Sequence, residues 1–231
     1  MTISMLNPLV AFPPGVVLVD DFLGADNDPI STSIWDTNGN TGGGTIKRIV
    51  SNSLELVTGT TGGYDSNDTC AIRTDASFAD PEIQFLDFEW RSTSVDQEMR
   101  IKFNMRASGG FDWWQDSSET CLELAVLPYE HTLQLWKCVN GSWTALSSTV
   151  TFTSAVGGNP SAGDKWNIAL RHTGTHFQAF VWSASGSRPG SPTLSGAETE
   201  FASSNGRVGT ACSNGYFAAR SFRLGSVWRS V

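Results

Sequence analysis

The chain has 231 residues, of which 39% are hydrophobic and only 16% are charged, and it carries a formal net charge of −8. With 15 basic residues and no basic run longer than Lys47-Arg48, it lacks the positive surface that nucleic-acid binding requires. No stretch of the sequence is long and apolar enough for a transmembrane helix, so we expect no membrane insertion.

The N-terminal segment, Met1 to Pro14, is apolar but contains three prolines and no basic residue. A secretory signal has a basic start followed by an uninterrupted apolar stretch, so this pattern does not indicate one. We predict that residues 1–15 form an arm that docks onto another protein. We expect residues 16–231 to form a single domain.

Gly, Ser and Thr are abundant throughout, and this composition favours strands and turns over helices. Alternating patterns predict three hairpins and seven further short strands. The further strands are Val16–Phe22, Thr45–Val50, Leu54–Thr58, Cys70–Thr74, Trp143–Thr151, Thr199–Phe201 and Tyr216–Trp228. About a dozen strands without a convincing helix indicate an all-β domain.

The first hairpin is predicted from two alternating segments, residues 82–92 and 97–106, joined by the loop Thr93–Asp96. One register pairs apolar residues on one side and matches opposite charges on the other, as cross-strand pairing favours. The apolar pairs are Trp90 with Met99, Phe88 with Ile101 and Leu86 with Phe103, and the charged pairs are Arg91 with Glu98, Glu89 with Arg100 and Asp87 with Lys102.

The second hairpin is predicted for Cys121–Leu127 and Thr132–Cys138, with residues 128–131 as the loop. In this register Cys121 lies directly opposite Cys138. A cross-strand disulfide and two packed thiols both fit such a position, and the lack of an export signal favours the thiols. The four cysteines have no C-x-x-C spacing, which argues against a structural zinc site.

The third hairpin joins Lys165–His172 to Thr175–Trp182 through the turn Thr173-Gly174, because hairpins favour two-residue loops. This arrangement places one set of apolar side chains on a shared face. The set comprises Trp166, Ile168, Leu170, Phe177, Ala179 and Val181. We expect the strand tryptophans to lie in the core, namely Trp90, Trp136, Trp166 and Trp182.

Several of these segments follow one another in a recognisable order. They are Asp20-Asp-Phe-Leu-Gly with Trp35, Leu122-Glu-Leu-Ala-Val, Leu133-Gln-Leu-Trp-Lys, Asn140-Gly-Ser-Trp143, Lys165-Trp-Asn-Ile-Ala-Leu, Gly206-Arg-Val-Gly209 and Phe222-Arg-Leu-Gly-Ser-Val. From Val16 onward this order resembles the concanavalin A-like lectin/glucanase superfamily, nearest to laminin-G-like modules. The resemblance implies a two-sheet antiparallel jelly-roll sandwich, and it says little about activity because it is a strand order and not a signature peptide.

A second, looser resemblance comes from the predicted arm and the composition rich in Gly, Ser, Thr and Trp. Both features are similar to those of minor tail or other virion proteins of tailed bacteriophages. The resemblance implies assembly in a host cytoplasm, a location on the virion exterior, and a cell-surface polysaccharide as partner. It also implies contact with other virion proteins through the arm, and we expect a homo-oligomer.

Glucanases of this superfamily carry a strand motif Glu-x-Asp-x-Glu, whose outer carboxylates act as nucleophile and acid/base about 5–5.5 Å apart. The match considered is Phe85-Leu-Asp87-Phe-Glu89, which lacks the first Glu. Asp87 and Glu89 also have basic partners in the predicted hairpin, and paired carboxylates are poor proton donors. We therefore predict that the protein is not an enzyme.

The three histidines, His131, His172 and His176, lie in or beside predicted turns and do not converge. We interpret them as solvated loop residues.

Two acidic turns, Asp26-Asn27-Asp28 and Asp65-Ser-Asn67-Asp68, have a spacing that suits calcium, and laminin-G-like modules often hold calcium in rim loops. Asx-rich turns are also common because Asp and Asn bond their own backbone. We expect no cofactor, with bound calcium as the alternative.

The candidate binding surface is the turn-rich segment around Trp113 and Trp114, which are flanked by Asp112 and Gln115. An exposed aromatic ring beside polar groups suits a sugar, because the ring covers C–H groups while the polar groups bind hydroxyls. Alternatively, both rings pack over a sheet edge or in a subunit contact. The leading hypothesis is thus a carbohydrate-binding adsorption module. A purely structural virion subunit comes second and a glycan hydrolase third.

Overall fold

Within its described residues, the computed structural model forms seventeen strands and one short helix. The helix is too short to cross a membrane. The described residues are 16–31, 33–36, 46–58, 69–73, 78–79, 81–91, 100–109, 118–159, 161–213 and 220–230. The predicted arm, residues 1–15, lies outside them and remains a prediction.

The elements are numbered in chain order. The first nine strands are β1 (Val16–Asp20), β2 (Trp35–Asp36), β3 (Ile46–Ile49), β4 (Leu54–Thr58), β5 (Thr69–Arg73), β6 (Glu82–Trp90), β7 (Arg100–Ser108), β8 (Thr120–Leu127) and β9 (Thr132–Val139). The others are β10 (Ser142–Ala145), β11 (Val150–Thr151), β12 (Lys165–His172), β13 (His176–Ser183), β14 (Leu194–Ala197), β15 (Arg207–Ser213), β16 (Arg220–Leu224) and β17 (Ser226–Ser230), and the helix α1 is Phe152–Val156.

The strands form two antiparallel sheets. Sheet A has the order β14-β13-β12-β6-β16-β4-β3, and β17 joins it by pairing with β6 on one side and β1 on the other. Sheet B has the order β10-β9-β8-β7-β15-β5-β2, with β11 beside β9. The predicted all-β, two-sheet antiparallel sandwich is confirmed.

The core lies between the sheets and is dominated by aromatic rings. Phe103 of sheet B packs against Phe85 and Phe88 of sheet A, with ring centroids 5.0 and 5.2 Å apart. Phe88 also contacts Trp166 at 5.5 Å and Phe222 at 5.3 Å. Phe85 and Phe88 are three residues apart, and both face inward because an irregularity at Asp87, whose φ is +54°, interrupts the alternation of β6.

The first predicted hairpin is wrong. Strand β6 lies in sheet A beside β12, β16 and β17, whereas β7 lies in sheet B between β8 and β15. Phe88 and Phe103 therefore meet across the core. The alternating pattern records which side chains are apolar and does not record which strand is the neighbour, so it fits both arrangements.

Two of the charge pairs predicted with that hairpin, Glu89 with Arg100 and Asp87 with Lys102, are also wrong. Glu98, the predicted partner of Arg91, lies outside the described residues, so that pair stays a prediction. Glu89 forms ion pairs with Arg91 and Lys165. Arg100 and Lys102 pair with acidic residues of sheet B. The sequences of β6 and β7 therefore carry opposite charges at matching positions although the two strands are not paired. Met99 and the loop Thr93–Asp96 lie outside the described residues.

The second hairpin is confirmed in the predicted register, with Cys121 opposite Cys138 and Leu124 opposite Leu135. In the third hairpin the shared face is confirmed, since Ile168 pairs with Val181.

The turn of the third hairpin is displaced by one residue. Thr173 N–H donates to the carbonyl of His176 at 3.0 Å, so Gly174 and Thr175 form the turn. Gly174 has a φ of +88° at its first position, which suits glycine. The change shifts the register by two residues and thus keeps the same side chains inward.

Other strands differ in extent. The predicted strand Trp143–Thr151 is divided into β10 and β11, and Thr199–Phe201 forms a turn. Strands β14 and β15 were not predicted. Strand β15 has small residues at its outward positions, Gly209 and Ala211, and so has little of the apolar signature of a central strand.

Two of the four strand tryptophans lie in the core as predicted, Trp90 and Trp166. The prediction is wrong for Trp136 and Trp182, which are half-buried on the outer faces of the sheets. Both pair across the sheet with residues that point outward, and alternation fixes only the side and not the degree of burial.

The interpretation of His172 as a solvated residue is wrong. Its ring is buried, and Nε2 lies 2.8 Å from Oε2 of the buried Glu198. Glu198 also accepts bonds from the backbone N–H groups of Glu200 and Phe201. These contacts fasten the turn after β14 to the tip of the third hairpin. His176 is exposed, as predicted.

The outer face of sheet A carries a buried acidic side chain, Glu82 of β6. Its oxygens accept two bonds from Arg188, at 2.6 and 2.8 Å, and one from Arg171 at 2.8 Å. Burial raises the pKa of Glu82, but the bonds and charges of Arg188 and Arg171 outweigh burial and hold it below the ordinary 4.5. The ionised carboxylate therefore ties the loop of Arg188 to the sheet.

We predict that Glu82→Gln destabilises the protein at pH 7 by about 1–3 kcal/mol, because bonds to charged groups are lost. Because the pKa of Glu82 is lower in the folded state than in the unfolded state, its ionised carboxylate stabilises the fold at pH values above the unfolded-state pKa. This stabilisation is lost as the pH falls through the folded-state pKa. The difference in the free energy of unfolding between variant and parent, measured by urea titration, should therefore shrink below about pH 4. Glu200→Gln, at an exposed ion pair with Lys137, is the control and should change stability by less than about 1 kcal/mol. A difference in the free energy of unfolding that persists below that pH would contradict the stabilising role of the ionised Glu82 carboxylate.

Candidate functional site

The predicted sugar contacts, Asp112, Trp113, Trp114 and Gln115, lie outside the described residues and remain a prediction. Their segment joins β7 to β8, and the described chain reaches it at Gly109 and Ser118. Gly109 has a φ of +75°, and a Cβ there would lie 1.9 Å from the Ser118 carbonyl oxygen. Only glycine fits at this position, which lies at one end of the β7–β8 pair.

Polar side chains accumulate on the outer face of the same two strands. In β7 the inward residues Ile101, Phe103 and Met105 alternate with outward Lys102 and Asn104. Strands β8, β9 and β10 add further outward residues. We call this set the outer-face cluster, and it comprises Arg100, Lys102, Asn104, Glu119, Cys121, Glu123, Trp136 and Trp143.

Three members of the cluster form a row across the sheet. Asn104 is opposite Glu123 in the β7–β8 ladder, and Glu123 is opposite Trp136 in the β8–β9 ladder. Asn104 and Glu123 are fully buried, while Trp136 is half-buried. Neighbouring strands lie about 4.8 Å apart, so the row spans about 10 Å.

Ion pairs lie within the cluster. Lys102 Nζ is 3.5 Å from Oε2 of Glu123 and 4.0 Å from Oε1 of Glu119, and all three side chains are at most 1% exposed. Arg100 forms an ion pair with the other oxygen of Glu123. Two cations thus neutralise two carboxylates, as burial requires.

Two tryptophans lie beside these charges. Lys102 Nζ is 4.4 Å from the ring centroid of Trp143. The Arg100 guanidinium lies 5.6 Å from Trp143 and 5.4 Å from Trp136. Cation–π attraction at these distances holds both indoles next to the polar row.

Leaving Glu119 aside, four buried polar atoms of the cluster have no hydrogen-bond partner in the described part of the chain, although one of them, Oε2 of Glu123, is in the ion pair with Lys102. They are Nε of Arg100, Oδ1 of Asn104, Oε2 of Glu123 and Nε1 of Trp136. Such atoms are uncommon in folded proteins, because each costs the free energy of its lost hydration. Their concentration on one row marks a place where a polar ligand or ordered water completes the bonding.

Cys121 of the cluster and the facing Cys138 are free thiols, so of the two alternatives the unbonded form is present. Cys121 Sγ accepts a bond from Asn104 Nδ2 at 3.2 Å and donates to Glu119 Oε1 at 3.5 Å. Cys138 donates to the Glu119 carbonyl at 3.3 Å. Burial, with a smaller effect of the Glu119 charge, raises the pKa of Cys138 to about 11, and the pKa of Cys121 lies well above its ordinary value.

An acidic spacing that begins one residue before β8 was not recognised from the sequence. Glu119-Thr-Cys121-Leu-Glu123 places two glutamates four residues apart, as in the glucanase motif, with cysteine at the central Asp position. The segment considered instead, Phe85–Glu89, lies in sheet A. The missed signal was a Glu-x-x-x-Glu spacing on an alternating strand.

The first acidic turn uses its side-chain oxygens for its own structure. Asp26 accepts from Ser51 N–H at 2.7 Å, Asp28 accepts from Ala25 N–H at 2.9 Å, and Asn27 accepts from Arg48 at 2.8 Å. No group of three His, Cys, Asp or Glu side chains suited to a metal occurs among the described residues. The second turn, at residues 65–68, lies outside them.

Neither family models nor curated protein sequences match this chain, but solved structures are similar to it. The carbohydrate binding module CBM66 from Bacillus subtilis covers 85% of this chain and 95% of its own, with a TM-score of 0.52 and 13% identity. SCLam, a non-specific endo-β-1,3(4)-glucanase of family GH16, covers 96% and 94%, with a TM-score of 0.62 and 13% identity. The exoplasmic/lumenal domain of VIP36, in a Ca²⁺/Man3GlcNAc-bound form, covers 89% and 87%, with a TM-score of 0.61 and 13% identity.

These similarities show the fold and not the function. The protein has the concanavalin A-like lectin/glucanase jelly-roll fold that its strand order predicted. Both enzymes and non-enzymatic binding modules occur among the similar structures. The choice between them depends on the side chains of this chain.

We predict that Cys121 and Cys138 resist alkylation in the folded protein. At pH 8 a thiol with a pKa of about 11 is ionised to about one part in a thousand, and the thiolate is the reactive form. Iodoacetamide followed by peptide mass spectrometry should label both residues in denaturant and neither in buffer within the same time. Rapid native labelling at either site would contradict the buried, protonated pair.

Proposed function

We propose that this domain binds carbohydrate without hydrolysing it, and that the outer-face cluster is the binding site. The observation that carries the proposal is the row of partnerless buried donors and acceptors beside Trp136 and Trp143. Sugar hydroxyls both donate and accept hydrogen bonds, and indole rings cover the apolar face of a pyranose. The cluster supplies both kinds of contact.

Precedent for the fold supports the proposal. One similar structure is named for a carbohydrate binding module, and another holds a mannose-containing glycan. The predicted contacts Trp113 and Trp114 extend the same region in this proposal, because their segment connects the two strands that carry the cluster. Calcium takes no part in it.

The fuller proposal concerns biological context. The protein is an adsorption module on the exterior of a bacteriophage virion, assembled in the host cytoplasm, and its ligand is a host cell-surface polysaccharide. Residues 1–15 dock it onto other virion proteins, and it forms a homo-oligomer. A purely structural virion subunit is the alternative, and it predicts no sugar binding.

We predict that Trp143→Ala weakens polysaccharide binding at least about 10-fold, because aromatic contacts often carry much of the affinity of a binding site. Isothermal titration against isolated cell-wall polysaccharides measures the change. Trp182→Ala is the matched control, since Trp182 is also half-buried near an arginine but lies on sheet A. Equal losses in the two variants, or no binding across a broad panel, would count against the site.

A glycan hydrolase is the second candidate, and the spacing of Glu119 and Glu123 on one strand favours it. A retaining glycosidase requires one carboxylate as nucleophile and one as proton donor. Glu123 is, however, held in ion pairs with Arg100 and Lys102. Cysteine also replaces the central Asp of the motif.

The proposal predicts no release of reducing ends from any polysaccharide that the protein binds. Incubation of the polysaccharide with a high concentration of the protein, followed by a reducing-sugar assay, provides the measurement. Glu119→Gln and Glu123→Gln are the diagnostic variants. Activity in the parent that both variants abolish would establish the hydrolase in place of the binding module.

Removal of residues 1–15 tests the virion context. We predict that the truncated chain is lost from purified phage particles while its polysaccharide affinity changes less than about 2-fold, because the proposed site contains no residue of the arm. Immunoblots of particles and isothermal titration measure the two effects. Normal incorporation of the truncated chain would contradict the docking role.

A further inference from the structure

We infer that the ligand of the outer-face cluster is a neutral, hydroxyl-bearing glycan and not a carboxylated, sulfated or phosphorylated one; this inference rests on the proposed function. Its basis is the chemistry of the four partnerless buried atoms. Arg100 Nε and Trp136 Nε1 are hydrogen-bond donors, whereas Asn104 Oδ1 and Glu123 Oε2 are acceptors. The site therefore offers both donors and acceptors.

The bonds around Asn104 fix its role as acceptor. Cys121 S–H is directed to Glu119 Oε1, so its sulfur is available to accept from Asn104 Nδ2. The amide N–H group is thus engaged, and Oδ1 is the atom left to be satisfied. An acceptor in this position requires a donor from the ligand.

Hydroxyl groups match such a mixed set. A hydroxyl donates one bond and accepts others, so neighbouring hydroxyls of a pyranose satisfy donors and acceptors together. A carboxylate, sulfate or phosphate dianion only accepts, and it would leave Asn104 Oδ1 and Glu123 Oε2 unsatisfied. An ammonium group only donates, and it would leave Arg100 Nε and Trp136 Nε1 unsatisfied.

Charge leads to the same ligand class. Arg100 and Lys102 are already neutralised by Glu123 and Glu119 within the described cluster. An additional buried anion would lie near the Glu123 carboxylate without a cation of its own, and uncompensated buried charge is strongly unfavourable. A neutral ligand avoids this cost.

The geometry also sets the size of the ligand portion that is bound. The row from Asn104 through Glu123 to Trp136 spans about 10 Å at ordinary strand spacing, which suits one or two sugar rings. Trp143 lies on β10, the last strand of sheet B in the described chain, with its ring against Lys102. A ligand bound along the row therefore contacts this ring, and the indole environment changes with binding.

The test compares neutral and acidic polysaccharides with the full chain. Mannan, dextran and a β-glucan are the neutral probes, and alginate, heparin and a phosphomannan are the acidic ones. Isothermal titration and tryptophan fluorescence are recorded at 50 and 500 mM NaCl. We expect binding of at least one neutral polymer, a shift in tryptophan emission, and less than about 2-fold change with salt, because no net charge is neutralised.

Two variants assign the effect to the row. Trp136→Phe keeps an aromatic ring and removes only the Nε1–H donor, and we expect affinity to fall about 3- to 10-fold, as for the loss of one hydrogen bond. Asn104→Leu should cause a similar or larger loss, with circular dichroism and thermal melting confirming that it folds. Gln178→Leu, on the outer face of sheet A, is the matched control and should bind like the parent.

The outcomes are distinguishable. Salt-sensitive binding of acidic polymers alone would overturn the neutral-ligand inference and leave carbohydrate binding intact. Neutral binding that Trp136→Phe does not weaken would overturn the assignment to this row. The absence of binding to every polymer would instead refute the proposed function itself.

Discussion

The aromatic contact between the two sheets sets the position of every outward side chain in the candidate site. Phe88 of sheet A packs against Phe103 of sheet B, and Phe222 lies beside both. Because successive residues of a strand point to opposite faces, the burial of Phe103 sends Lys102 and Asn104 to the outer face. A slip of β7 by one residue would exchange the two sets, so the core fixes the site above it.

The outer-face cluster is an unusual use of a sheet surface. Lys102, Asn104 and Glu123 are as buried as the aromatic core, although they lie on the opposite side of the sheet. Apolar residues of similar size often stabilise a fold as well as a buried ion pair does. Stability alone therefore does not account for these residues, and partnerless atoms beside them add a further cost. Recognition of a polar ligand gives both features a physical reason.

The same strand illustrates how little separates binding from catalysis on this fold. Strand β8 and the residue before it carry two glutamates at the spacing of a glucanase motif, but Cys121 stands between them and two cations contact Glu123. A carboxylate held in ion pairs is suited to accept a hydrogen bond from a sugar hydroxyl. A few side chains thus decide the chemistry of a shared framework.

Sequence periodicity by itself determined the fold class and two hairpins. The register of β8 with β9, including Cys121 opposite Cys138, followed from alternation and a short loop, because a short loop forces consecutive strands to pair. The shared face of β12 and β13 followed in the same way, even though the turn at Gly174 was displaced. The inward or outward direction of a side chain is thus largely a local property of the chain.

Only the tertiary structure decided which sheet each strand joined and which polar residues were buried. Strands β6 and β7 had matching patterns but lie in different sheets, and β15 entered the centre of sheet B with few apolar residues. Lys102 and Glu123 looked like the solvated face of a strand, yet they are enclosed beside Trp143. The reason is the same in each case: neighbouring strands and the groups that cover a sheet come from distant parts of the chain, and alternation along one strand carries no record of them.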